Sequence, residues 1–198
     1  MDFSNSLLHW YLQEKRDLPW RNTTNPYPIW LSEIILQQTR VAQGLPYFNS
    51  FIEHFPTIFD FAAANEQEVL KLWQGLGYYS RARNMHKTAQ YIVSELAGEF
   101  PTSYVDLLKL NGIGPYTAAA IASFSFNEVV PVVDGNVYRV LSRYFGIETD
   151  ISSSRARKEF FDLAQLLISK DNPAMFNQAI MEFGALQCVP QNPNCSAC

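Results

Sequence analysis

Two acidic residues stand where a carboxyl group could take part in acid–base chemistry. Glu33 lies within residues 29–39, which predict a helix that is apolar on nearly every side. Burial among apolar side chains favours the protonated, proton-donating form of a carboxyl group, and Gln37 follows one helical turn later on the same face. Periodicity alone favours the alternative, in which Glu33 lies at the solvent edge of an amphipathic helix.

The second acid is Asp134, which follows two valines and precedes an apolar helical pattern that begins at Gly135. An aspartate directly before a helix commonly caps the free backbone amides of the first turn. The same carboxylate could instead face a substrate cleft and stabilise a developing positive charge there. The local sequence leaves both interpretations open.

Three cysteines, Cys188, Cys195 and Cys198, are the only ones in the chain and fall within its last eleven residues. An odd, clustered set in an intracellular chain favours metal ligands over disulfides. A zinc site would lack a fourth ligand, because the histidines lie far upstream. The remaining alternative is three incidental cysteines.

Residues 110–118 predict a tight turn between two helices. One helix ends at Leu110, Gly112 and Gly114 form a Gly-x-Gly turn, and Pro115 begins the next helix. Free N–H groups at a helix N-terminus can bind an anion such as a phosphate. Gly-x-Gly alone favours an ordinary glycine-rich turn, but the Tyr-Thr-Ala string that follows makes the motif more specific.

The elements that must position these groups are helical. Apolar residues recur mainly at three- and four-residue spacing and strand-like alternation is absent, which predicts an all-α fold. Proline and glycine residues divide the chain into roughly ten short helices. Residues 129–133 could pass for a strand, but Pro131 in their middle favours a buried connector.

The formal net charge is −4, whereas nucleic-acid binders usually carry a basic excess. A small footprint can still be made from a few Arg and Lys side chains together with backbone amides. Residues 1–20 contain no apolar run long enough for a signal sequence or a membrane span. These features predict an intracellular protein without membrane contact.

Several short segments follow one another in an order typical of a single family. They are residues 18–21, 26–27, 31–39, 75–83, 110–118, 134–136, 176–178 and 184–188. Together they resemble MutY-type adenine DNA glycosylases, which belong to the helix-hairpin-helix, endonuclease III-like superfamily. The resemblance covers essentially the whole chain. It implies a base excision repair enzyme that flips out an adenine paired with 8-oxoguanine or guanine and hydrolyses its N-glycosidic bond.

The resemblance also implies roles in the reaction. Glu33 would protonate the adenine at N7, which makes the base a better leaving group. Asp134 would stabilise the positive charge that develops on the sugar, and Tyr116 and Asn136 would support that site.

Further roles concern binding. The residues implied to line the pocket of the flipped base are Arg16, Trp20 and Gln178. The residues implied to bind DNA are Gly112, Gly114 and Thr117 at the hairpin, and Gln38 and Tyr78, which would enter the duplex. For Trp20 and Tyr78 plain core packing is the alternative.

Position 116 separates the subclasses of this superfamily. Bifunctional relatives carry a lysine there, whose amine attacks the sugar, forms a Schiff base and nicks the strand. A phenol cannot form that imine, so Tyr116 predicts an enzyme without strong lyase activity. The alternatives are a glycosylase/lyase for oxidised pyrimidines, a thymine–guanine mismatch enzyme and an inactive DNA-binding module. Tyr116 and the Ser32-Glu33 string argue against the first. Glu33 with Gln37 and Gln38 argues against the second.

The cysteine spacing resembles the first three ligands of the family's [4Fe-4S] loop. The fourth ligand of that loop is a further cysteine, which this sequence lacks. The family's separate C-terminal domain for 8-oxoguanine recognition has no counterpart either. We therefore expect a truncated chain whose cluster is absent or incomplete.

The predicted architecture has two helical lobes with the active site in the cleft between them. Residues 23–130 form one lobe, with Glu33 and the hairpin, and residues 1–22 join 131–198 in the other. The expected partner is double-stranded DNA with an adenine mismatch, bound by a monomer. The expected location is the bacterial cytoplasm, or the nucleus if the source is a eukaryote.

Overall fold

A computed structural model describes residues 2–198, apart from the side chain of Ala197, and it is helical throughout. The α-helices are α1 Phe3–Glu14, α2 Pro26–Leu36, α3 Val41–His54, α4 Ile58–Ala63, α5 Glu66–Leu72, α6 Tyr79–Glu95, α7 Tyr104–Leu107, α8 Pro115–Phe126, α9 Gly135–Phe145, α10 Ser154–Leu167 and α11 Pro173–Leu186. Short 3-10 helices span Pro19–Arg21 and Cys195–Ala197. The all-α prediction is confirmed.

Local sequence signals explain where several helices begin. Asn25, Thr57 and Asn65 each accept a hydrogen bond from a backbone amide in the first turn of the helix that follows. Residues 129–133 form no strand, as the proline in their middle predicts. Across residues 2–198, no helix is long and apolar enough to cross a membrane.

The chain divides into two compact helical units, residues 1–17 with 127–198, and residues 18–126. The predicted boundaries were 22/23 and 130/131, so the observed divisions fall four or five residues earlier. The first shift has a packing reason. Leu18 and Trp20 are buried, and the indole of Trp20 packs edge-on against Phe48 of α3 with ring centroids 5.0 Å apart.

The unit of residues 18–126 is built around α2 and α8. Buried residues cover all sides of α2 from Ile29 to Ile35, and α8 is buried from Thr117 to Ser123. A helix that is apolar all round is stable only inside a core. Small alanines on α8 allow α2 to pack closely against it.

The other unit packs α1, α9, α10 and α11 around one core. Tyr138 of α9 packs on Phe160 of α10 with ring centroids 4.8 Å apart, and the fully buried Phe176 of α11 belongs to the same cluster. Helices α1, α9 and α10 are amphipathic, and each buries one face and leaves the other in solvent. Helix α11 is buried or half-buried along its whole length except at Leu186.

Candidate functional site

The carboxyl group of Glu33 is buried. Its residue is 8% exposed in the middle of α2, between the fully buried Ser32 and Ile34. The hydroxyl of Ser32 donates to the carbonyl of Ile29 at 2.7 Å, which keeps the adjacent turn helical. The burial expected of Glu33 is therefore present, and the solvent-edge alternative does not hold.

The hairpin of residues 110–118 has the predicted turn, but the preceding helix is shorter. Helix α7 ends at Leu107, three residues before the predicted end at Leu110. Gly112 has φ +75°, and a Cβ there would lie 3.1 Å from the Cβ of Asn84, so only glycine suits this position. The hydroxyl of Thr88 on α6 donates to the carbonyl of Asn111 at 2.6 Å and fixes the turn.

Helix α8 begins directly after the hairpin, so its first amides point outward from the turn. Gly114 has no atom within 4 Å of an ideal Cβ position, which leaves this side of the turn open. Tyr116 is half-buried. Thr117, in contrast, is only 2% exposed as a whole residue, so it offers DNA almost no surface.

The two side chains predicted to enter the duplex are both exposed and lie on unusual backbone. Gln38 has φ +60° and Tyr78 has φ +46°, a region that side-chain-bearing residues rarely adopt. Tyr78 is 66% exposed, so the core-packing alternative does not apply to it. It does apply to Trp20, which is 8% exposed.

Asp134 caps the N-terminus of α9. Its Oδ1 accepts from the backbone N–H of Val137 at 2.8 Å, and its Oδ2 accepts from the side-chain amide of Asn136 at 2.8 Å. Burial raises the pKa of the Asp134 carboxyl, and these hydrogen bonds offset only part of that effect. The capping interpretation is thus confirmed, and a capping carboxylate can also be a reactive one.

Arg139 supports Asn136 from one turn farther along α9. Its Nη2 donates to the side-chain oxygen of Asn136 and to the backbone carbonyl of Gly184, each at 2.7 Å. Its Nε donates to the carbonyl of Cys188 at 2.8 Å. Because Asn136 in turn donates to Asp134, these bonds fix the direction in which the carboxylate points.

The connector before Asp134 is held by Asn177 of α11, which the sequence interpretation did not single out. The amide oxygen of this side chain accepts from the N–H of Val132 at 3.0 Å, and its amide nitrogen donates to the carbonyl of Val130 at 2.9 Å. Asn177 is 1% exposed. An amide in an otherwise apolar helical stripe was the available signal, since buried amides need partners.

Two residues predicted to line the base pocket are associated with α11: Arg16 bonds to it and Gln178 belongs to it. Arg16 makes a two-pronged ion pair with the buried Glu182, with Nε to Oε1 at 2.8 Å and Nη2 to Oε2 at 2.6 Å. One turn earlier on α11, Gln178 accepts from the hydroxyl of Tyr11 at 2.7 Å. Arg16 and Gln178 therefore both belong to the unit of residues 1–17 with 127–198, and Trp20 belongs to the unit of residues 18–126.

The three cysteines line one cavity, of about 890 Å³, with Arg143. The guanidinium of Arg143 donates to the Sγ of Cys188 at 3.4 Å and to the carbonyl of Val189 at 2.7 Å. Within residues 2–198, no three His, Cys, Asp or Glu residues are grouped closely enough to hold a metal ion. The three thiols are one fewer than a four-thiolate site needs.

Gly184 of α11 lies against the start of α9, and this close approach yields a prediction. A Cβ at this position would lie 2.6 Å from the Cβ of Asn136 and 3.1 Å from its Cα. We expect Gly184→Ala to lower the free energy of unfolding by about 1–3 kcal/mol through overpacking. Gly135→Ala is the control, because nothing lies within 4 Å there. Equal stabilities in urea titrations of the two variants would contradict this packing.

Comparison with known proteins identifies the family of this chain. The family described as HhH-GPD superfamily base excision DNA repair protein matches residues 31–165. The adenine DNA glycosylases of Rattus norvegicus and of Buchnera aphidicola (Schizaphis graminum) are 46% and 43% identical over 99% of this chain. The chain spans 40% and 57% of the length of these two relatives.

Solved structures agree on the fold. A thermostable thymine-DNA glycosylase superposes with a TM-score of 0.90 at 28% identity, covering 99% of this chain and 90% of that chain. Endonuclease III in a non-covalent DNA complex gives a TM-score of 0.83 at 23% identity, covering 98% and 88%. The second likeness concerns the fold alone.

Proposed function

Because the chain belongs to the HhH-GPD superfamily of base excision DNA repair proteins, we propose that it excises adenine from mispaired DNA. The single observation that carries this proposal is the buried carboxyl group of Glu33, in a chain 46% identical to a mammalian adenine DNA glycosylase. The substrate is double-stranded DNA in which adenine lies opposite 8-oxoguanine or guanine. The protein acts as a monomer.

The proposed reaction divides the chemistry between two carboxyl groups. Glu33 donates a proton to N7 of adenine, so that the base leaves as a neutral molecule. Asp134, as a carboxylate, stabilises the positive charge on the sugar while the glycosidic bond breaks. Asn136 and Arg139 orient that carboxylate through the bonds described above. Water then adds to the cationic sugar carbon, which becomes hydroxylated, and its released proton passes to solvent.

Binding is proposed to use the backbone more than positive charge. The hairpin amides at Gly112 and Gly114 and the first turn of α8 hold a DNA phosphate, and Gln38 and Tyr78 enter the duplex. This mode suits a chain whose net charge is −4. Arg16 and Gln178 contribute to the pocket of the flipped base, with Arg16 oriented by Glu182.

A single-turnover excision assay tests the function. Duplexes carry adenine opposite 8-oxoguanine, guanine or thymine, and one further duplex carries thymine opposite guanine. We expect excision from the first two only. Excision of thymine instead would replace the proposal with the activity named for the superposed thymine-DNA glycosylase.

The same assay, scored before and after alkali, tests the role of Tyr116. Since no lysine occupies this position, we expect strands to stay intact until alkali cleaves the abasic site, and borohydride to trap no protein–DNA adduct. Tyr116→Lys serves as the positive control for trapping. An adduct formed by the unmodified protein would show that another amine attacks the sugar.

The iron–sulfur cluster is the remaining part of the proposal. Relatives of this family use four thiolates, and this polypeptide offers Cys188, Cys195 and Cys198. We propose that the 198-residue polypeptide holds no complete, stoichiometric cluster. Iron and sulfide analysis decides the point, and about four irons per chain would require a ligand from outside this sequence.

A further inference from the structure

Gln38 and Tyr78 share an unfavourable backbone conformation. Both are exposed and both hold a left-handed backbone conformation, with φ +60° and +46°. Such a conformation is unfavourable for a residue with a side chain and persists only where neighbouring structure enforces it. The turns that contain them, residues 36–39 and 76–79, are here called the insertion turns. Contacts from neighbouring residues must therefore hold each turn in this conformation.

The side chain of Arg81, at the start of α6, makes those contacts. Its Nη1 donates to the carbonyl of Ile34 at 2.9 Å and to that of Gln37 at 2.6 Å. Its Nη2 donates to the carbonyl of Leu76 at 3.3 Å. One guanidinium thus bonds to both insertion turns. It contacts the first through the end of α2 and the residue before Gln38, and the second through a residue of the turn that carries Tyr78.

Aromatic rings hold the guanidinium in place. Its Cζ lies 5.2 Å from the ring centroid of Trp73 and 5.6 Å from that of Tyr78. Trp73 is fully buried, and its Nε1 donates to the carbonyl of Gly77 at 2.8 Å. The second insertion turn is therefore tied to a core side chain, and the ring of Tyr78 rests against the charge.

We propose that Arg81 is a positioning residue that locks both insertion turns, so that Gln38 and Tyr78 stand ready to enter the duplex. The inference rests on the proposed function, in which these two side chains open the base stack. It also explains the choice of arginine. A planar fork can reach carbonyls in two directions at once, whereas a lysine ammonium is a single point charge.

Arg81→Met tests the proposal, because it keeps an unbranched stem and removes the fork. A second variant, Arg81→Lys, keeps the positive charge but removes the fork. A cavity of about 220 Å³ borders Arg81 and leaves room for the lysine side chain. Arg83→Met is the matched control. It removes the same charge two residues along α6, from a side chain that is 49% exposed and pairs only loosely with Glu66, at 3.4 Å.

The first readout is base flipping and excision. We expect Arg81→Met to slow the fluorescence rise of 2-aminopurine at the target position, and the excision of adenine, by roughly 10- to 100-fold. Arg81→Lys should be intermediate, and Arg83→Met should stay within about twofold of the unmodified protein. In the Gln38→Ala/Tyr78→Ala background, Arg81→Met should add less than about twofold, since its effect passes through the missing side chains. A full additional loss there would overturn the proposal.

The second readout needs no DNA. Amide hydrogen exchange of residues 37–39 and 76–79 should be at least about tenfold faster in Arg81→Met, with protection of α8 unchanged. Unchanged exchange at both turns would also overturn the proposal. If the unmodified protein excises no adenine, the proposed function fails, whereas the exchange result still decides whether Arg81 locks the turns.

Discussion

Replacing Glu33 with Gln is expected to reduce the single-turnover rate of adenine excision by at least roughly 100-fold, the usual scale for the loss of a general acid. The amide has nearly the shape of the carboxyl group but has no acidic proton to give to N7. Because Glu33 is 8% exposed within α2, bulk water cannot readily take over its role.

Binding and folding separate this effect from a structural one. Glu33→Gln should bind an adenine-mismatch duplex within about threefold of the unmodified protein, because a proton transferred in the reaction does not contribute to ground-state binding. Glu95→Gln, an exposed change on α6, matches the change in charge. Excision by Glu33→Gln at a rate near that of Glu95→Gln would remove Glu33 from the mechanism.

The parts of the fold that were predictable have local causes. Pro115 and the glycines of the hairpin determine where α8 begins, and Pro131 prevents a strand in the connector. The apolar neighbours of Glu33 indicated burial, whereas periodicity alone favoured the solvent edge, and the surrounding motif decided between the two. In each case the residues that decide the structure lie within a few positions of one another.

The contacts that support the site could not be predicted, because their partners are far apart in sequence. Arg16 and Glu182 are 166 positions apart, and Asn177 bonds to backbone atoms 45 and 47 positions away. Periodicity shows which face of a helix is buried but not which helix covers it. The burial of Thr117 has the same origin, since it depends on how α8 packs within its unit.

The same reasoning applies to Arg81. In sequence it lies in the segment of residues 75–83, and nothing there indicates which backbone carbonyls its guanidinium would reach. In the structure its guanidinium points to carbonyls of α2 and of the turn after α5. A basic residue in a DNA repair protein can therefore organise a loop instead of contacting the ligand.

Asp134→Asn is expected to reduce excision by about 100- to 1,000-fold, the scale for losing one preorganised electrostatic group. The fold should persist, because asparagine caps a helix about as well as aspartate and its side-chain oxygen can still accept from Val137. Asp171→Asn, at an exposed position of the same unit, is the control for charge. Excision by Asp134→Asn near the control rate would show that the carboxylate is not needed.

The raised pKa of Asp134 adds a dependence on pH that a purely structural cap would not have. Burial makes the carboxyl group bind its proton more readily in the folded than in the unfolded chain. The stability it contributes is therefore full below the ordinary pKa, about 3.9, and is lost as pH rises through the higher folded value. Asp134→Asn removes this titration, so its free energy of unfolding should rise relative to the unmodified protein as pH increases across that window. The rate of excision should fall as pH drops through the raised pKa, because the proposed reaction uses the ionised form of Asp134. Urea titrations and single-turnover rates over the same pH series measure both trends. A rate that does not fall as pH drops through this window would contradict the proposed role of the carboxylate.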